Sequence, residues 1–355
     1  MNIDKIRELF REASEKDNFS GVVLIKKGEN EVFSYKSGYA HRGFMIENSL
    51  STRFDTASIT KLFTAVSIFQ LIDKKLISLD DKVLDILDLK DTKISKDVTI
   101  YHLLTHTSGI GDDADEEAGE SYEDIWKDKP NYSVRELVDF LPNFIYREPN
   151  FEPGKGCRYN NCAFILLGLV IEKVTGENYC EYVKKNIFDK ISMMDTDFLS
   201  MDGINKNTAE GYACIEDEDE NIIGWRKNIY SYPPKGAADS GAYTTVYDLD
   251  KFIRELVKNK LISEKMTKEI LTPKELYREN DERLAYMGYG FEHIIRKSDN
   301  KVFCIKKEGC NAGVADVVKY YPEIDTTFII LSNTDACDIW DLAFEVQQYL
   351  GVKTK

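Results

Sequence analysis

Hydrophobic and polar positions change period four times along the chain. At the N-terminus, Ile3, Ile6 and Phe10 recur at helical spacing among charges, which predicts an amphipathic helix. F-S-G-V-V-L-I-K-K (19–27) and E-V-F-S-Y-K-S-G-Y-A are rich in β-branched and aromatic residues and flank Gly28-Glu29-Asn30, so they predict a β-hairpin. From Ser58 to about Asp73 an apolar stripe (Leu62, Ala65, Val66, Phe69, Leu71, Ile72) returns to helical period. Y-H-L-L-T-H-T-S-G-I predicts a short helix broken at Gly109. S-V-R-E-L-V-D-F-L-P and C-A-F-I-L-L-G-L-V-I-E-K-V-T-G predict longer ones. Near the C-terminus V-F-C-I-K-K-E-G, A-D-V-V-K-Y-Y-P and T-T-F-I-I-L-S-N predict three successive strands. D-I-W-D-L-A-F-E-V-Q-Q-Y-L predicts a last amphipathic helix. Strands at both ends and helices between them imply an α+β fold. One antiparallel sheet is built from both chain ends, flanked by terminal helices, with a mostly helical lobe inserted. We expect a single domain over 1–355, with an α/β lobe at about 1–57 and 236–355 and the helical lobe at about 58–235.

Composition narrows the partners. The 355 residues are 43% hydrophobic and 31% charged, which fits a folded globular chain. A net charge of −15 repels phosphate backbones and anionic lipid, so no nucleic acid and no membrane partner is expected. The first residues show no apolar signal region, which favours a cytoplasmic location. Seven cysteines without C-x-x-C spacing read as reduced thiols. Two acidic runs, Gly111–Asp124 and Glu216–Asn221, fail the calcium-loop register and read as solvated loops. His102 and His106 have the i, i+4 spacing of a metal pair, but no Glu follows His102, so no metal site is expected.

Three segments carry candidate chemistry, each with a plainer alternative. Ser58 begins F-D-T-A-S-I-T-K and either caps a helix or is a nucleophile with Lys61 one turn on. A second Ser-x-x-Lys, Ser298 to Lys301, lies in turn-like sequence and shows that the spacing alone is cheap. Tyr159 and Asn161, in R-Y-N-N-C-A-F, either pass a proton and hold a carbonyl, or pack on a turn and cap a helix. Lys307 and Gly309, in K-K-E-G-C-N, share one face of a strand, where Gly lets a ligand approach closely. The alternative is a solvated strand end and a turn.

Taken in order, Ser58-x-x-Lys61, Tyr159-x-Asn161 and Lys307-x-Gly309 resemble the serine β-lactamase and penicillin-binding family, most closely its class C branch of esterases and D-amino-acid peptidases. Y-H-L-L-T-H-T-S-G-I and E-P-G-K-G-C-R-Y-N-N-C-A-F-I-L-L-G-L-V-I-E-K-V-T-G strengthen the likeness, which runs from about Phe19 to Asn333. The resemblance implies a β-lactamase/transpeptidase-like fold and an acyl-enzyme on Ser58. It implies that Lys61 activates the hydroxyl, that Tyr159 shuttles protons, and that Lys307 keeps Tyr159 acidic. Asn161 would hold the substrate, and the backbone N–H groups of Ser58 and Cys310 would form the oxyanion hole. No cofactor is implied. The partner would be a small ester, amide or β-lactam-like substrate. The oligomeric state is not indicated.

One position departs from the family pattern. Glu308 stands where a hydroxyl residue usually helps hold the substrate's carboxylate, and its charge opposes an anion there. This favours an esterase or peptidase-like hydrolase over an efficient β-lactamase. A non-hydrolytic penicillin-binding or sensor protein is the alternative, with Glu308 or the acidic run at Gly111–Asp124 obstructing the site.

Overall fold

The computed structural model describes residues 1–16 and 18–353. In chain order its main elements begin with helix α1 (Ile3–Lys16), strands β1 (Gly21–Lys27) and β2 (Asn30–Ser37), and helices α2 (Lys61–Asp73), α3 (Ile100–Leu104), α4 (Cys162–Thr175) and α5 (Val246–Val257). Strands β3 (Glu275–Glu279), β4 (Arg283–Met287), β5 (Glu292–Arg296), β6 (Lys301–Asn311), β7 (Val314–Tyr321) and β8 (Thr326–Ser332) follow, and helix α6 (Ile339–Gln347) ends the chain.

The strands form one antiparallel sheet in the order β2-β1-β8-β7-β6-β5-β4-β3. β1 pairs with β8 along its whole length, Val23 opposite Ile330, so strands from the two ends of the sequence meet inside the sheet, next to its β2 edge. Both faces of this region are covered. Val22, Leu24, Val318, Ile329 and Leu331 pack toward the helical lobe, while Val23, Ile25, Val317, Phe328 and Ile330 pack beneath α1 and α6. That double burial explains why β1 reads as a continuous apolar run rather than an alternation. Helices α2 and α4 lie within the helical lobe and are buried nearly all round, as their unbroken apolar sequence requires.

Several expectations need correction. β3, β4 and β5 were not foreseen. Their sequences (E-L-Y-R-E, R-L-A-Y-M, E-H-I-I-R) mix charged and apolar residues with no clean two-residue period, because much of one face is open, and no long aliphatic run marks them. The helix at Tyr101 ends at Leu104 rather than Gly109, because His106 takes a left-handed φ of 58° and Thr107 N–H turns back to the His102 carbonyl. Ser133–Pro142 is not one helix. A 3-10 turn at Leu137–Phe140 gives way to a new turn at Leu141–Phe144, where Pro142 takes the early helical position it prefers.

Two features place the site. The pairing of β5 with β6 stops at Glu292 opposite Lys306, so Lys307–Asn311 keep β7 on one edge only. Against this stretch lies the turn that carries Ser58. Phe54 and Asp55 pair with Thr244 and Tyr243, and Thr56 N–H bonds the Ala242 carbonyl at 2.9 Å. The turn then touches β6 at Gly309, where a Cβ would stand 2.4 Å from the Thr56 carbonyl oxygen. The close approach at Gly309 is thus by the chain itself rather than by a ligand. We expect Gly309→Ala to lower stability in chemical denaturation by about 1–3 kcal/mol, since a rigid backbone oxygen must give way.

Candidate active site

Ser58 sits inside a 3-10 turn, Ala57–Thr60, that feeds directly into α2. It is not a cap, for neither this turn nor α2 has a side-chain capping bond. Ala57 takes a positive φ of 40°, uncommon for a residue with a Cβ, and Asp55 Oδ1 holds its N–H at 2.8 Å. The Ser58 hydroxyl is half-buried at the edge of a cleft of about 770 Å³ measured out to open solvent. Glu116, Tyr159, Lys307, Glu308 and Cys310 also line it. The second Ser-x-x-Lys lies on the exposed turn between β5 and β6, as its sequence indicated.

Lys61, Tyr159 and Lys307 converge on this hydroxyl. Tyr159 Oη donates to Ser58 Oγ at 2.8 Å, and Lys307 Nζ reaches Tyr159 Oη at 3.5 Å. Lys61 Nζ lies 2.9 Å from Ser58 Oγ, 2.7 Å from Asn161 Oδ1 and 2.9 Å from the Asp239 carbonyl oxygen. Two of these partners can only accept. The third is a hydroxyl that can do either. As an ammonium Lys61 donates all three bonds; as an amine it donates two and accepts the Ser58 proton. Both states are therefore satisfied, and moving the proton between them needs no rearrangement.

Burial sets the charges. Lys61 is fully buried and no carboxylate lies within ion-pair distance of it among the described residues, so desolvation pulls its pKa down, opposed by the nearby negative charge of Asp239. Lys307 is brought down to about 7, first by burial and then by the like charge of Lys61. Tyr159 goes the other way. Burial pushes its phenol well above the usual value, and the Ser58 hydrogen bond only partly offsets this. Lys307 therefore does not make Tyr159 acidic in the resting site, and Tyr159 is a phenol that donates.

The residues around this chain were less legible. The acidic run at Gly111 is not simply a solvated loop, since Asp112 and Asp113 are buried. Asp112 accepts from Asn161 N–H and Cys162 N–H, both at 2.9 Å, and so caps α4 from outside its own sequence. Asn161 itself does not cap; Asn160 Oδ1 takes the Ala163 N–H at 2.7 Å. That leaves the Asn161 amide free to accept from Lys61 and to donate to Glu116 Oε1 at 3.2 Å. His102 Nδ1 accepts from Thr99 N–H and His106 Nδ1 from Asn160 N–H. The His106 ring packs on Tyr159 with centroids 4.6 Å apart, so it supports the phenol. The left-handed φ at His106 and the helix-dipole position of Asp112 leave no local sequence signal, which is why neither was foreseen.

Glu308 points away from the Lys307 side of β6 and pairs with Lys306 at 2.8 Å; Lys306 also holds Glu292 at 2.8 Å. Glu116 differs from both. It has no cation within ion-pair distance among the described residues and faces the cleft beside Asn161.

Comparison with known proteins adds the following. The family model described as beta-lactamase matches residues 6–339. Penicillin-binding protein 4* of Bacillus subtilis (strain 168) is 28% identical over 341 residues, covering 93% of this chain and 71% of that protein. Other curated relatives are longer, and the chain spans 59% and 37% of two of them. The crystal structure of a penicillin binding protein from Bacillus halodurans superposes with a TM-score of 0.87 at 37% identity, covering 96% of this chain and all of that one. A D-stereospecific amidohydrolase from Streptomyces sp. shares the fold, with a TM-score of 0.79 at 21% identity over 99% of this chain and all of that one. No helix among the described residues is long and apolar enough to cross a membrane.

The depressed Lys307 is directly measurable. In NMR of reductively methylated protein, one lysine signal is expected to titrate near pH 7. Lys61→Met should move that midpoint upward, because it removes the neighbouring like charge. A Lys307 signal unchanged by Lys61→Met would contradict the coupling.

Proposed function

Because the chain belongs to the beta-lactamase family, we propose that it is a serine hydrolase that forms an acyl-enzyme on Ser58 and hydrolyses a small ester or amide. The observation that carries this reading is the directed hydrogen-bond chain Lys307 to Tyr159 to Ser58 to Lys61, closed by two acceptors on Lys61. Neutral Lys61 takes the Ser58 proton as Oγ attacks the carbonyl. Tyr159 gives its phenolic proton to the departing group, with Lys307 stabilising the phenolate that forms. Water then attacks the acyl carbon and gives a proton to the Tyr159 phenolate, and the acyl group leaves as an acid while Lys61 returns its proton to Ser58 Oγ. The N–H groups of Ser58 and Cys310 are proposed to hold the oxyanion, each worth about 2.7–4 kcal/mol of barrier in such sites. In support, Cys310 lines the cleft on the stretch of β6 that runs past the end of β5.

The cleft's charge bears on the substrate. Glu292 and Glu308 share one lysine, and Glu116 has none. A carboxylate on the acyl donor would meet this excess of negative charge, so neutral or cationic donors are favoured over penicillins. The half-buried Ser58 hydroxyl is reachable from the cleft. This supports turnover over the binder reading, in which Glu308 or the acidic run closes the site.

Ser58→Ala is expected to abolish p-nitrophenyl ester hydrolysis, with a loss of at least about a thousandfold in kcat. Equal turnover by both proteins would overturn the reading, and so would an acyl adduct that persists in intact-protein mass spectrometry without product release. Glu116→Gln probes the substrate side. Against amino-acid p-nitroanilides, it should cut kcat/KM for the free amine by about tenfold relative to the N-acetyl analogue, the size of one lost charge-assisted bond.

A further inference from the structure

On the far side of the sheet from the helical lobe, α1 and α6 cover β1, β8 and β7 and bury Phe303 and Cys304 of β6, but leave much of β3, β4 and β5 open. The floor of the resulting cavity is a cross-strand row. Arg278 lies opposite Ala285, Ala285 opposite Ile294, and Ile294 opposite Cys304. The cavity holds about 1710 Å³ measured out to open solvent, and Phe344, 60% exposed on α6, overhangs it. At its inner wall stands Lys319 on β7, directly opposite Lys306 on β6.

Lys319 is only 7% exposed, yet among the described residues no carboxylate lies within ion-pair distance and no hydrogen bond ties down its Nζ. Each neighbour that could serve is already committed or of the wrong charge. Lys306 is a like charge across the strand pair and holds both Glu292 and Glu308. The Cys304 thiol is pushed up to about 11 by burial, so it is not an anion. From α6 come Phe344, Gln347 and Gln348, which carry no charge. A buried ammonium without a counter-ion is costly, and facing lysines repel. The surrounding apolar wall (Ala285, Ile294, Phe303, Phe344) is equally unexplained by the serine chemistry.

We propose that this cavity is a second binding site, for a small carboxylate with an apolar body, whose carboxylate pairs with Lys319 and whose body lies on the Ala285–Ile294–Phe303 wall. The single deep ammonium calls for one anionic group. The apolar floor calls for a hydrocarbon or aromatic remainder, and exposed Glu279 and Asp281 at the rim disfavour a polyanion. Burial holds the Lys319 pKa below the ordinary lysine value, and an anion in the cavity reverses that pressure. Arg278 lines both this cavity and the serine cleft, and Lys306 pairs with Glu292 and Glu308 of that cleft, but the proposed site does not depend on the hydrolase reading.

Octanoate, 1-octanol and inorganic phosphate titrated calorimetrically into the full chain test this. Octanoate should bind saturably at one site to wild type and equally to Ser58→Ala. Lys319→Met and Lys319→Gln should each weaken it by about tenfold or more, the usual consequence of losing a charge-assisted partner. Octanol should bind wild type at least as weakly as octanoate binds the variants. Both variants should keep the wild-type far-UV spectrum and p-nitrophenyl esterase activity. Unchanged octanoate affinity in the two variants overturns the proposal. So does the absence of saturation, displacement of octanoate by phosphate, or loss of octanoate binding in Ser58→Ala.

Discussion

The site depends on one constraint: a lysine is fully buried and given only neutral acceptors. A carboxylate beside Lys61 would fix it as an ammonium and rule out the base role proposed for it. Water beside it would do the same. The surrounding structure keeps both away while still satisfying three hydrogen bonds. One acceptor is a backbone carbonyl that cannot titrate. Another is the Asn161 amide, whose orientation is imposed by Asp112 gripping the first N–H groups of α4. The buried acids of that loop thus act at one remove, through backbone amides, and Asp112 leaves Lys61 without a direct counter-ion.

A second constraint is the distance between the sheet and the nucleophile turn. Gly309 brings β6 against Thr56, closer than any side chain would allow. The same strand turns Lys307 toward Tyr159, while Glu308, one residue on, lines the same cleft but is tied to Lys306. The electrostatic outcome follows. Two lysines close enough to repel flank the Tyr159 ring, one bonded to its hydroxyl and the other to Ser58, and neither keeps an ordinary lysine pKa.

Much of this was legible in the sequence, and the reasons for what was not are physical. Paired strands from both ends and the buried helices at Lys61 and Cys162 announced themselves by apolar period. Ser58, Lys61, Tyr159 and Lys307 were readable as an ordered set of motifs, and they do meet. What escaped detection depends on distant pairing. β3 to β5 have much of one face open, so they mix charged and apolar residues like any exposed segment. Asp112 looked like one acid among many in an acid-rich run, and only its position at the mouth of a helix fifty residues away distinguishes it. Gly309 was rightly marked as a place of close approach, but the sequence could not say that the approaching backbone was Thr56. Asn160 and Asn161 are identical residues with opposite duties, one capping and one holding Lys61, and a difference of one position along a helix start decides between them.

The pairing of β1 with β8 has a consequence for biogenesis. β1 is made well before its long partner β8. Ser58 emerges from the ribosome well before Lys307, by on the order of tens of seconds at ordinary elongation rates. During that interval the nascent chain holds a serine and a lysine with no sheet to set them. Such non-local pairing makes for slow, late folding. It also means that a nascent chain that has not yet reached β6 and β8 cannot bring Lys307 to Tyr159 and Ser58.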